Sequence, residues 1–319
     1  MVGQKIRPSA WRVSCGWPRR RRRTTITAQQ RFTSAVYDVW TDPTQKRQSG
    51  RVSGQPQFRS DLYRGTARFY DRFRVPYPNQ LLDDLRVRAH LTGTGRLLDL
   101  ACGTGQITFG LGSSFAEVWA VDQEPEAVEF ARAKALEHGI DNVRWMVGRA
   151  EDVDADGLFE LVAIGNAFHR LQRPVVAEAA MRWLVTGGHV ALLWSNPPWD
   201  GGLAWQRVLA EALHHWTREA VWAERMPANL DQHVADEPHA SVLESAGFSI
   251  VGEFQFVMPY EWNFQQLTGF MYSTSVLSQQ ALGPHVQAFE RDLRERLLAV
   301  EPGGVFREEI SFSYSLARR

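Results

Sequence analysis

Short apolar runs bounded by turn residues recur through the middle of the chain. Leu97–Ala101, Val118–Val121, Val143–Val147, Phe159–Ile164 and His189–Trp194 each fit a strand buried on both faces of a sheet. Between them the apolar positions recur at helical spacing. Gln106 to Leu111 can be helical, Glu124-Pro125-Glu126 opens a helix with Val128, Ala131 and Ala135 on its buried face, and Pro174 opens one through Val176, Ala180 and Trp183. Strand and helix in alternation predict an α/β fold with a parallel sheet. Thr186-Gly187-Gly188 reads as the turn before the fifth strand.

The flanks extend this pattern. Upstream, Pro78 opens a helix with Leu81, Leu82 and Leu85 on one face. Downstream, Leu203, Val208, Leu209, Leu213 and Trp216 mark an amphipathic helix within an insertion at 200–240. A short helix at 241–247 leads to a sixth strand, Phe248–Met258. Val286, Phe289, Leu293 and Leu297 mark the last helix, and Ile310–Ala317 a final antiparallel strand. The prediction is a doubly wound, seven-stranded, mainly parallel sheet over 60–319, with lid or substrate-pocket elements at 200–240 and 262–300. No internal repeat is visible.

Charge separates the first sixty residues from the rest. The 319-residue chain is neutral overall, with 36 basic and 36 acidic residues. Residues 1–60 hold 13 Lys and Arg and 2 acids, which leaves 23 basic and 34 acidic residues in 61–319, a net of −11. A body of that sign does not favour a nucleic-acid substrate held on a basic surface. The run Arg19 to Arg23 lies among Pro, Ser, Thr and Gln, which predicts a disordered basic extension over 1–59. Its composition also fits a transit peptide or an RNA-tethering arm. The sequence has no long apolar run, so no membrane span is expected. Two cysteines, Cys15 and Cys102, give no disulfide framework and no zinc site, and the expected compartment is a reducing cytoplasm.

The chemistry concentrates between Gly95 and Asp122. A strand ends at Asp99-Leu100-Ala101, a turn follows at Gly103-Thr104-Gly105, a helix begins, and the next strand ends at Asp122. Glycines let the backbone turn sharply and approach a ligand closely, and the free N–H groups of the helix start point to the same place. An acid about twenty residues on can accept the hydroxyls of a ribose. The third glycine of a dinucleotide fingerprint is replaced by Thr108, and no Lys follows to make a phosphate-binding loop. Both absences disfavour a nicotinamide reductase. Asp99 suits a cationic or amine-bearing ligand better than a pyrophosphate.

The order Asp99-Leu100-Ala101-Cys102-Gly103-Thr104-Gly105, then Val121-Asp122, resembles the first two motifs of class I S-adenosylmethionine-dependent methyltransferases. The wider likeness, over 61–319, is to small-molecule members, the type 11 or trans-aconitate-methyltransferase-like group. The resemblance implies S-adenosyl-L-methionine at Asp99, Gly103, Thr104, Gly105, Asp122 and Gln123. It implies adenine recognition at Ala150 and Glu151, or Asp152 in place of Glu151, and further cofactor contact at Asn166. In such enzymes an aromatic segment covers the cofactor, for which Tyr63, Tyr70 and Tyr77 are candidates. The loop Asn166 to His169 then faces the reactive methyl. His169 is the candidate general base, with an ordinary imidazole pKa suited to pH 7; the alternative is an orienting donor.

For substrate, the candidates are Tyr70, Tyr77, Trp194 and Tyr272, with Trp199 also at the mouth and Tyr272 to Ser275 resembling a pocket-lining segment. The expected reaction is in-line methyl transfer to a small molecule, possible without a metal, and the Trp content points to an aromatic or heteroaromatic acceptor. A methyltransferase acting on RNA or protein, and a binder that has lost catalysis, are the other readings. Nothing in the residues fixes the oligomeric state.

Overall fold

The computed structural model describes residues 58–59, 61–155, 157–218 and 234–319. The basic extension, and the part of the insertion around Trp222, Met226 and Asn229, lie outside the described residues. Seven strands form one sheet: β1 (Arg96–Leu100), β2 (Glu117–Asp122), β3 (Val143–Val147), β4 (Phe159–Gly165), β5 (Leu184–Ser195), β6 (Ser249–Asn263) and β7 (Val305–Arg318), in the order β3-β2-β1-β4-β5-β7-β6. The first five are parallel, and β7 runs antiparallel to both β5 and β6. The chain reverses its direction of sheet-building between β1 and β4. That switch opens a crevice beyond the strand ends, where ligands bind in such sheets.

Ten helices surround the sheet among the described residues: α1 (Ala67–Phe73), α2 (Asn79–Arg88), α3 (Gln106–Leu111), α4 (Pro125–Glu137), α5 (Arg173–Trp183), α6 (Ala204–Arg218), α7 (His239–Ser245), α8 (Phe264–Tyr272), α9 (Gln279–Leu282) and α10 (Val286–Val300). One face of the sheet carries Leu81, Leu85, Ile107, Leu209, Leu267 and Phe289 in a single apolar cluster. The other carries Val176, Ala180, Trp183 and Leu243. Strands covered on both faces are apolar at nearly every position, and β4 and β5 follow this rule.

The boundaries of β5, β6 and β7 differ from the sequence reading, β7 starting at Val305 and not at Ile310. Thr186-Gly187-Gly188 does not precede β5 but lies within it. Phe159 pairs with Leu184 and Leu161 with His189, so the extra residues of β5 form a bulge there, with Gly187 at φ +84°. Strand β6 runs five residues beyond the expected Met258, because its pairing with β7 continues to Asn263–Val305. Its alternate residues face solvent on a sheet edge, which hides the strand from a search for apolar runs.

The insertion helix α6 packs on the start of β7 and on α10. Trp205 donates its indole N–H to the Arg307 carbonyl at 3.2 Å, and Trp216 lies edge-on to Phe289 of α10. Segment 264–278 instead turns back over the strand ends. Gly269 in α8 lets Phe73 of α1 pack directly on its backbone, since a Cβ there would meet the ring at 2.3–2.5 Å.

Candidate functional site

A cavity of about 740 Å³ lies beyond the C-terminal ends of the parallel strands. Its floor is built by Ala101, Gly103 and Thr104 after β1, Asp122 to Glu124 after β2, Gly148 to Glu151 after β3, and Gly165 to Ala167 after β4. His169 to Gln172 and Ser195, Pro197 and Trp199 form further wall. Phe58, Tyr63, Tyr70 and Arg74 from the N-terminal segment, and Thr274 to Val276 after α8, close over it.

The Gly103 turn is held from two sides. Asp122 accepts the Gly103 N–H at 2.8 Å and the Glu124 N–H at 2.9 Å on its two oxygens. Each oxygen keeps a lone pair for a further donor. Burial raises the pKa of Asp122, while the N–H bonds of Glu124, Gly103 and Gln123 pull it down. Gly103 adopts φ +55°, and a Cβ there would meet only Tyr70, at 4.0 Å. The turn therefore presents bare backbone to the cavity.

Asp99 lies behind the turn, outside the cavity wall. Its Oδ2 accepts the Thr108 N–H at 3.0 Å and the Thr108 hydroxyl at 2.6 Å. It thus caps α3 from a neighbouring strand, satisfying an N–H that the helix itself cannot pair. Thr108 stands where a dinucleotide fingerprint has glycine, and this bond is what its side chain contributes. Burial raises the Asp99 carboxyl to about 7, against the lowering effect of Thr108. Gly105, at φ +87°, also stays outside the wall and sits against Phe109 and Trp145.

Of the sequence candidates, Gly103, Thr104, Asp122, Gln123, Ala150, Glu151, Asn166, His169 and Tyr70 meet in this cavity. Glu151 also accepts the Gln172 N–H at 2.9 Å and pairs with Arg149 at 3.4 Å; Asp152 does not line the cavity. Asn166 has φ +52°; its Oδ1 accepts the Ser195 N–H, and its amide donates to the Tyr77 and Ser195 hydroxyls. Tyr77 is thus a support for Asn166 and not itself wall.

Trp194 and Tyr272 are placed one layer back. The Trp194 ring lies 5.5 Å from that of His169 and stacks on His239 at 5.4 Å. Tyr272 donates its hydroxyl to Glu290 at 2.6 Å. Of the tryptophans, Trp199 is the one that lines the cavity among the described residues; Trp183, Trp205 and Trp262 are core. The Trp content therefore reports packing more than a ligand.

His169 departs from expectation in its basicity. It is buried, and burial pushes its pKa well below the usual 6.5, with Arg170, His239 and Arg173 adding to the effect. The expected ordinary pKa is corrected on that ground. Its Nδ1 has no hydrogen-bond partner, so no carboxylate orients the ring from that side.

Residues the sequence reading passed over are Arg74, Glu124 and Arg170. Glu124 is buried with Oε1 unpartnered. A charged residue two positions after the motif acid was the available signal. Arg74 and Arg170 belong to segments whose place over the cavity depends on long-range packing.

The cavity's unpaired groups fit S-adenosylmethionine. Thr104 Oγ1 and Glu124 Oε1 are buried without partners, and Asp122 has acceptor capacity left, on the side where ribose hydroxyls would donate. Among the described residues, no group of three or more His, Cys, Asp or Glu could hold a metal ion. No helix there is long and apolar enough to cross a membrane.

Comparisons with known proteins agree with this geometry. Residues 97–188 match the family model described as a methyltransferase domain. An uncharacterized methyltransferase of Mycobacterium tuberculosis is 32% identical over 145 residues, 45% of this chain and 55% of the relative. The chain thus spans about half the length of that relative. An uncharacterized RNA methyltransferase of Listeria innocua is 35% identical over 88 residues, 28% of this chain and 19% of its own length. A solved structure named as a type II methyltransferase, from Anaeromyxobacter dehalogenans, superposes with a TM-score of 0.55 at 18% identity, over 77% of this chain and 97% of that one. Strand order, turn geometry and domain match converge: residues 97–188 carry a methyltransferase domain, and the sheet has the Rossmann-like fold of class I methyltransferases.

Proposed function

We propose that the protein transfers a methyl group from S-adenosylmethionine to a small-molecule acceptor. The observation that carries the reading is the Asp122 carboxylate, 2.8 Å from the Gly103 N–H, at the floor of a covered cavity at the sheet's switch point. When bound, S-adenosylmethionine supplies an electrophilic methyl on a sulfonium. The chain's own groups bind and orient. Asp122 and Glu124 accept ribose hydroxyls, the Gly103-Thr104 backbone admits the amino-acid portion, and Ala150 and Glu151 face the adenine. Gln123 and Asn166 complete that wall.

Small acceptors are favoured by the cover. Residues 58–59 and 61–74, with Thr274 to Val276, overhang the cavity and are tied down by Arg74 to Ser273 at 2.8 Å and by Arg170 to Ser275 at 3.3 Å. A duplex or folded RNA would need a wide mouth and a basic approach. The acidic body offers neither sign nor spread of charge for that. The RNA-directed reading is supported by relatives that share only the short span reported above, and by the basic extension.

His169 sits on the reactive side, in the neutral form at pH 7. Neutral imidazole can accept a proton from the acceptor, but its lowered pKa makes it a weak base. Orientation and exclusion of water are the larger contributions expected here. The test is methyl transfer from labelled S-adenosylmethionine into a cell extract, with low-mass and macromolecular fractions counted separately. Label in the low-mass fraction supports the reading. Label confined to RNA or protein overturns its acceptor half, and absence of binding to the methyl donor overturns the whole.

A further inference from the structure

Four arginines line the cavity, and they divide into two kinds. Arg59 pairs with Asp61 at 2.9 Å, and Arg149 with Glu151 at 3.4 Å. Arg74 and Arg170 have no carboxylate within ion-pair distance among the described residues. Arg74 donates to the Ser273 hydroxyl and lies 5.0 Å from the centre of the Tyr70 ring. Tyr70 in turn is the side chain that a Cβ at Gly103 would meet, at 4.0 Å.

Arg170 has a different set of neighbours. It follows His169 in the loop after β4, lies 5.2 Å from the Phe58 ring centre and 5.0 Å from that of Tyr63, and donates Nη2 to Ser275. Its Nε and Nη1 are buried with no hydrogen-bond partner. A guanidinium with unpaired, desolvated N–H groups is costly, and a planar anion meeting its fork removes that cost. S-adenosylmethionine carries one carboxylate, at its amino-acid end, which on the reading above meets the Gly103 turn, with Arg74 beside Tyr70 as the cation on that side. A second anion is then wanted at Arg170, on the acceptor's side.

Resting on the reading above, we propose that the acceptor carries a carboxylate, and that Arg170 anchors it beside His169 while Phe58, Tyr63 and Trp199 cover the adjoining carbon skeleton. The carboxylate is a handle that sets which acceptors enter, whatever atom receives the methyl. The Phe58 and Tyr63 rings and the Ser275 hydroxyl hold the guanidinium in place, and its planar fork prefers a bidentate partner over a point charge.

Ligand-observed NMR on the full chain, saturated with S-adenosylhomocysteine, tests this with benzoate and phenylacetate against benzamide and phenylacetamide. The expected result is that the acids bind about tenfold or more tighter than the amides. In Arg170→Gln that preference disappears, with S-adenosylhomocysteine affinity within about threefold of wild type; Arg170→Lys keeps part of it. Equal or absent binding of acids and amides to wild type overturns the proposal, as does a preference that survives Arg170→Gln. So does a tenfold loss of S-adenosylhomocysteine affinity in Arg170→Gln with 5′-methylthioadenosine unaffected, because the cofactor's own carboxylate would then occupy Arg170. Failure of the methyl-donor reading is separately visible: wild type would bind neither nucleoside before any acid is added.

Discussion

Two buried carboxylates frame the Gly103 turn, and they do different work. Asp122 holds the turn and keeps acceptor capacity toward the cavity, whereas Asp99 engages the start of α3 through Oδ2 and leaves Oδ1 buried without a partner. The first role was legible in the sequence, since a glycine turn and an acid on the neighbouring strand are set by local spacing. The second was not, because Asp99 and Thr108 look alike whether they face a ligand or each other. With Asp99 raised to about 7 in the folded chain and about 3.9 unfolded, the folded state holds the extra proton between those values. This contribution to stability is complete below pH 4 and is lost as pH rises through 7. Asp99→Asn mimics the protonated acid, so thermal denaturation should find it a few degrees more stable than wild type at pH 8 and equal at pH 4. A variant less stable at both pH values would contradict the assignment. For His169 the sign reverses. Its depressed pKa means that the unfolded chain takes up the proton first, so stability falls as pH drops below about 6.5. NMR titration should show the His169 ring unprotonated throughout pH 6–8, and a midpoint near 6.5 would remove the argument for a weak base. His169→Ala should lower kcat more than it raises KM, and an unchanged kcat would show that the ring takes no part in turnover.

Elements carry the cover, and here the sequence was least informative. The periodicity located α6 and α10 but not α8, and only packing shows that α8 leans on α1 through Gly269 while α6 lies against α10 and β7, away from the cavity. Trp194 and Tyr272 illustrate the same limit. A strand end or a polar cluster places a ring near the mouth, but whether the ring faces the cavity or the layer behind depends on neighbours far along the chain, His239 and Glu290 in these two cases. Gly269→Ala should displace Phe73 and with it the N-terminal cover. Loss of about 1–3 kcal/mol of stability by chemical denaturation, with a weakened nucleoside affinity, is the expected result. Full stability with unchanged affinity would mean that α1 does not need this contact to close the site.

At the scale of the whole molecule, the doubly wound, mainly parallel sheet and the placement of the crevice followed from the alternation of apolar runs and helices, because parallel strands buried on both faces leave few topologies. The bulge in β5 and the long edge strand β6 did not follow, since both depend on pairing partners. The charge division makes a further whole-molecule prediction. Removing residues 1–57 should leave methyl transfer to a small acceptor intact, and its abolition would favour a macromolecular substrate instead. The most direct test of the account is calorimetric titration of the protein with S-adenosylmethionine, beside Asp122→Ala. One site per chain, with affinity reduced about a hundredfold in the variant, is the predicted result. No binding to the wild-type protein, or the same affinity in both proteins, would contradict it.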